Sequence, residues 1–203
     1  MNGATAHSHR DYTGSKIGMW LFLFTEFFLF FGPILLYTIF RFRYPEAFID
    51  ASLSLDTGAG VFNTVLLLTS SLTMALSITA MQRGNKGTTL VLLGATVLAG
   101  AVFLVNKYFE WGAKISHGVY PGGDALEGMA DGGAVFYGLY FFATGLHGIH
   151  VLAGMAIIIV AALLVHEGRI NSKDFVKLEN TGLYWHLVDV IWIYLFPIFY
   201  LVR

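Results

Sequence analysis

Residues 136–154 read FYGLYFFATGLHGIHVLAG. The run is apolar enough to sit in hydrocarbon, yet it carries His147 and His150 three positions apart. On a helix, positions three apart share a face. At about 100° per residue, Ala143 and Gly154 fall on that same side. Gly138, Gly145 and Gly148 gather on the opposite side, where a second backbone could approach closely. A helix with polar groups on one flank and glycines on the other has neighbours on both. The stretch predicts an interior helix.

The rest of the chain has a matching composition. Of 203 residues, 56% are hydrophobic and 12% charged, with a mean hydropathy of +0.67. Soluble domains carry about 25% charged residues. A net charge of −1 gives no reason to expect nucleic acid as a partner. The absence of cysteine excludes a disulfide framework, thiolate metal sites and a cysteine nucleophile. The opening segment, MNGATAHSHRDYTGSK, is polar and has no apolar signal-peptide core.

A spanning helix needs ~20 mainly apolar residues. Five stretches qualify: 17–40, 60–81, 88–111, 133–165 and 181–202. The fourth, at about 50 Å of helix, must tilt or protrude. The connections at 41–59, 82–87, 112–132 and 166–180 are too short for a soluble domain, and no internal repeat is present. The expected fold is all-α, a polytopic membrane protein built as a bundle of five transmembrane helices. Residues 1–16 form a polar N-terminal segment, and 17–203 a single transmembrane domain.

Basic residues set the expected orientation. The N-terminus and the second and fourth connections hold Arg10, Lys16, Arg83, Lys86, Arg169, Lys173 and Lys177. The other side holds Arg41, Arg43, Lys114 and Arg203, with Lys107 near a helix end. The excess places the N-terminus in the cytoplasm and the C-terminus outside.

Ionisable groups inside the spans are the candidate functional residues. Glu26 interrupts MWLFLFTEFFLFF about 14 Å from the inner end of the first span, near the midplane. A charge there costs at least ~2.5–3.5 kcal/mol on insertion scales. Either it is a neutral, hydrogen-bonded tie between helices, or it handles protons or lipid. In the last span, Trp185, His186 and Asp189 lie within one turn, and Trp192 continues the face. Asp189 sits about 12 Å deep, close to the depth of Glu26. Pro197 predicts a bend near the outer end. Asn63, Ser70, Thr73 and Ser77 form an uncharged polar stripe suited to interhelical hydrogen bonds. Two polar layers are expected: Glu26, His186 and Asp189 inward, and Glu110, His147 and His150 outward. If the first and last spans touch, the inner layer becomes one cluster, and burial beside a second carboxylate favours neutral Glu26.

No redox centre or metal is expected in this chain. Two histidines at i, i+3 can ligate a metal, but the paired Glu-x-x-His signature of di-iron bundles is absent, and the histidines fall at mismatched depths. No P-loop, dinucleotide fingerprint or nucleophile–base motif appears.

Five stretches carry a resemblance: 16–33 (KIGMWLFLFTEFFLFFGP), 62–71 (FNTVLLLTSS), 108–111 (YFEW), 145–151 (GLHGIHV) and 184–192 (YWHLVDVIW). They touch all five spans, and in this order they resemble subunit III of the haem–copper oxidases, from about Ser15 to the end. The resemblance implies a five-helix form lacking the first two helices of the longer members, so that the family's lipid cleft would lack one wall. It implies a chain without haem or copper, which reside in partner subunits. Such a chain packs beside subunit I, in a complex with subunit II and in some cases a small subunit IV. It binds structural phospholipid and supports proton uptake in a prokaryotic plasma membrane. Glu26 matches the family's buried glutamate. Quinol-oxidase relatives tend to have Asp there, so the resemblance leans towards a cytochrome c oxidase. The alternatives are subunit III of a quinol oxidase and an accessory subunit of a nitric oxide reductase. From another class comes an independent proton-coupled transporter with Glu26 and Asp189 as relays, against which the missing repeat argues.

Overall fold

The computed structural model describes residues 12–127, 129 and 131–202, with the side chains of Glu127 and Asp131 outside that description. Most of the polar segment 1–16, with Arg10, lies outside the described residues, as does Arg203. Seven helices follow: α1 Tyr12–Arg43, α2 Pro45–Leu53, α3 Thr57–Gln82, α4 Lys86–Ser116, α5 Asp124–Glu127, α6 Asp131–His166 and α7 Val176–Tyr200. Among the described residues the only β-type pairing is a single bridge, Asn171 to Asp174. Five helices, α1, α3, α4, α6 and α7, are long and apolar enough to cross a membrane.

The spans run longer than hydropathy alone indicates, because amphipathic ends continue the helices past the apolar runs. Helix α1 starts at Tyr12 and ends at Arg43, and the connection at 41–59 contains the short helix α2, begun by Pro45. Proline at a first helical position loses no bond that the helix could have made. Asp56 and Asn85 cap α3 and α4, accepting from Ala59 N at 3.0 Å and Thr88 N at 3.1 Å. The tight α3–α4 turn contains Gly84 at φ 75°, a conformation that suits glycine.

Helices α3 and α4 form an antiparallel hairpin, α6 packs on α4 and α7, and α7 closes on α3. Helix α1 leans on α6 and α7 and makes no contact with α3 or α4. Its buried residues, Leu23, Phe30, Pro33 and Tyr37, form one stripe at spacings of seven, three and four. In the apolar span of α7, 56% of residues are buried, against 17% in α1. The apolar window of α6 is 28% buried, no more than those of α3 and α4, so the interior position expected of α6 belongs to α7.

Two indoles hold α7 in place. Trp185 and Trp192 are wholly buried and donate from Nε1 to Ser70 Oγ and Thr64 Oγ1, each at 3.0 Å. Room for Trp185 comes from Gly154 and Gly100, where a Cβ would lie 2.8 and 2.9 Å from the ring. The expected glycine flank of α6 behaves differently. Gly145 admits the indole of Trp111, and Gly138 faces open space, so no second backbone approaches there. Helix α7 continues through Pro197 to Tyr200. Its last carbonyls accept from side chains, Ile198 O from Tyr37 at 2.5 Å and Phe199 O from Ser52 at 2.8 Å, which meets part of the need of an exposed helix terminus.

The bundle has two ends: an N-side, bearing Tyr12, Arg83 and Arg169, and a C-side, bearing Arg43, His117 and Leu201.

Candidate functional site

Four ionisable groups inside the bundle form two pairs, Glu26–His150 and Lys107–Glu110, and His147, His186 and Asp189 stand apart from both. At mid-height, Glu26 of α1 meets His150 of α6, Oε2 to Nε2 at 2.8 Å. The expected grouping of Glu26 with His186 and Asp189 is therefore corrected. Helices α1 and α7 do touch, but Glu26 turns towards α6. His150 stands near the middle of α6 and Glu26 near the middle of α1, so the two are level and His150 does not belong to an outer layer.

The Glu26–His150 pair shares one proton. His150 Nδ1 lies 2.8 Å from Leu146 O, and a carbonyl can only accept, so Nδ1 carries a hydrogen. Nε2 then either donates to a carboxylate or accepts from a carboxylic acid. Phe30 packs edge-on against the imidazole, with centroids 5.0 Å apart.

The second cluster lies on the C-side half. Lys107 Nζ is 3.2 Å from Glu110 Oε2, 2.9 Å from Tyr140 OH and 2.8 Å from Tyr200 OH. Both phenols also donate to Glu110 Oε1. The Lys107 and Glu110 side chains are 8% and 7% exposed. A buried pair of this kind survives only when its remaining hydrogen-bonding capacity is met, and the two tyrosines meet it. Sequence reasoning finds Glu110 and Lys107 but misses Tyr140 and Tyr200, which lie 30 and 90 positions from Glu110. The i, i+3 spacing of Lys107 and Glu110 is the available signal.

His186 binds Ser71 Oγ through Nδ1 at 2.7 Å. Asp189 is 2% exposed, and neither carboxylate oxygen makes a hydrogen bond within normal limits among the described residues. His147 is wholly buried, and neither ring nitrogen has a partner among the described residues. Each unmet buried group costs about 1–3 kcal/mol. The ring of His147 packs against Trp192 at 5.3 Å and Phe103 at 5.4 Å. The polar stripe on α3 serves as interhelical ties: Ser70 holds Trp185, Asn63 accepts from Asn106 at 3.0 Å, and Thr73 meets Thr96 at 2.8 Å. Among the described residues, no three His, Cys, Asp or Glu side chains come together as a metal site.

Three of the surface grooves bear on these clusters and on the α1–α7 seam. One of about 840 Å³ opens at the C-side end between α3 and α4 and is lined by Asp56, Asn106, Glu110 and Lys114 among others. Two apolar grooves, of about 380 and 220 Å³, run along the α1–α7 seam and share Phe27, Leu187 and Val190.

Five apolar spans, a histidine-bearing helix among them and buried charges tied across helices define a polytopic integral membrane protein with these polar groups turned inward. The sequence matches the family Cytochrome c oxidase subunit III over residues 2–202. The chain belongs to that family. It is 26% identical to the cytochrome bo(3) ubiquinol oxidase subunit 3 of Pseudomonas aeruginosa, over 96% of this chain and 88% of that one. It is 35% identical to the cytochrome c oxidase subunit 3 of Alkalihalophilus pseudofirmus, over 68% of this chain and 63% of the other. It is also 28% identical to part of a heme-copper oxidase subunit I+III from Aeropyrum pernix, over 96% of this chain and 24% of that one. The family makes this chain a component of a haem–copper oxidase complex.

Proposed function

We propose that this chain is the non-catalytic subunit III of a proton-pumping terminal oxidase of the cytochrome c type, reducing O₂ to water. Haem and copper reside in subunits I and II. What supports the choice of electron donor is the glutamate at 26, where the resemblance leads to an expectation of Asp in quinol oxidases. A glutamate spans the gap to His150 at 2.8 Å, whereas an aspartate, one carbon–carbon bond (~1.5 Å) shorter, falls short without movement of α1. The weak attachment of α1 supports a role in packing against subunit I, since most of its apolar surface has no partner within the chain. The paired grooves on the α1–α7 seam suit acyl chains, and we assign structural phospholipid there. The complex sits in a prokaryotic plasma membrane with the N-side in the cytoplasm.

Gentle purification of the intact complex tests this. The expected result is haem-bearing partners that resemble subunits I and II, together with oxidation of reduced cytochrome c. Turnover with quinol alone would overturn the cytochrome c assignment. Absence of any haem-bearing partner would overturn the oxidase reading as a whole.

A further inference from the structure

We propose that the bundle holds a hydrated seam that lets the Glu26–His150 pair exchange its proton with the C-side face, through His147 and the Lys107–Glu110 cluster. The starting point is the groove of about 840 Å³, which has Glu110, Asn106 and Lys114 on its wall. Glu110 binds Lys107, and the Lys107 ammonium lies 5.5 Å from the centroid of Trp192. His147 packs on that same indole, centroids 5.3 Å apart. His150 follows His147 by three residues on the same face of α6, and its Nε2 meets Glu26.

Among the buried unpartnered atoms, those of His147 and Asn63 belong to this route. His147 offers one donor and one acceptor in its neutral form, and neither is met; the Nδ2 of Asn63, whose Oδ1 is bonded to the groove-lining Asn106, is also buried and unmet. Buried polar groups in this state bind ordered water, which makes two to four hydrogen bonds at such sites. The ligand of the seam is therefore water and the proton it carries. Each hop moves one proton from a donor to a lone pair and no electrons. His147 can gain a proton at one nitrogen and release one from the other.

Towards the N-side, α6 and α1 themselves carry few polar side chains, and the buried Asp189 and the Ser71-bonded His186 belong to α7. Residues 151–165 of α6 contain no ionisable or hydroxyl side chain, and on α1 only Thr25 has a polar side chain between Lys16 and Glu26. Thr25 is bonded to Phe22 O. Facing Glu26 from α7 is Tyr184. The next charged pair towards the N-side is Lys16–Glu179 at 2.9 Å.

The absence of cysteine permits a direct test in the whole complex, reconstituted in one orientation. His147→Cys, Asn63→Cys and Ile158→Cys are each exposed to silver(I), a cation of about water size, which replaces the thiol proton. Modification of this chain is read by mass spectrometry. Cysteine at 147 or 63 should react from the C-side at least tenfold faster than from the N-side, and tenfold faster than at 158, where the native side chain is wholly buried. Rates equal to that at 158, or faster from the N-side, would overturn the proposal. A second measurement leaves the seam residues untouched: infrared bands of the Glu26–His150 pair, identified by their loss in Glu26→Gln, are followed after a C-side pulse of D₂O. Ala113→Trp, which fills the groove, should slow the exchange at least tenfold. An unchanged rate would equally sink the idea. Neither readout depends on whether cytochrome c or quinol supplies electrons.

Discussion

Glu26 and His150 hold one proton between two helices, so a substitution is judged by whether it leaves one donor and one acceptor. Glu26→Gln keeps both and should cost about 1 kcal/mol, the net worth of an ordinary hydrogen bond. The assembled complex should keep most of its oxidase activity. Glu26→Lys buries an ammonium with no counter-charge and should abolish assembly, and equal loss of complex in both variants would refute the shared-proton account. At Lys107 the penalty is larger. Lys107→Met leaves Glu110 buried beside two phenols and should destabilise the subunit by about 3–5 kcal/mol. Lys107→Met with Glu110→Gln should recover more than half of that, measured as the detergent or denaturant midpoint of subunit release. A double variant no better than the single one would show that charge balance is not what holds the cluster. Glu26, His150, Lys107 and Glu110 are legible in the sequence as anomalies in or beside an apolar run, but Tyr140, Tyr200 and the pairings are not. Which carboxylate meets which histidine depends on helix rotation and depth to within a few ångströms, and a hydropathy profile averages both away.

Helix α7 is the element on which the others register, and its position depends on small residues opposite large ones. Trp185 fits only because Gly154 and Gly100 leave it room. Gly154→Val should therefore force the indole or α6 to move, at a cost of about 1–3 kcal/mol from overpacking. Gly94→Val, at a position with nothing within 4 Å, serves as the control. Thermal release of the subunit from the complex should fall clearly for the first and hardly at all for the second; similar losses would mean that helix propensity, and not packing, governs both sites. Number, order and type of the spans are legible because an apolar run of ~20 residues matches the thickness of a bilayer's hydrocarbon core. The helix ends are less so. Tyr12 to Lys16 and Arg41 to Arg43 are helical although polar, since a backbone at the membrane edge gains from continuing its hydrogen bonds past the last apolar residue. The short helix α2 is hidden for a related reason: nine residues starting with proline carry no membrane signal.

At the level of the whole molecule, the two faces of the bundle differ in charge, and the difference decides which compartment each one meets. Among the described residues the N-side carries Lys16, Arg83, Lys86, Arg169, Lys173 and Lys177, against Arg41, Arg43 and Lys114 on the C-side. Lys107 leaves the comparison, because it is buried and bonded within the bundle. Cytoplasmic loops retain the larger share of Lys and Arg, whatever acidic residues accompany them, so the Lys16–Glu179 pair does not weaken the bias. The N-side should therefore face the cytoplasm, and the groove at Glu110 the exterior. Lys173→Cys, in the 167–175 connection, should be labelled by an impermeant maleimide only after the cytoplasmic side is opened. Ala113→Cys, on the groove wall, should be labelled in intact cells. The reverse pattern would overturn the orientation while leaving the fold intact. With the expected pattern, the carboxylate cluster of Glu110 lies on the side to which a proton pump delivers protons. The pair at Glu26 would then be in contact with the product side of the membrane, a relation that only the depth and direction of α6 could set.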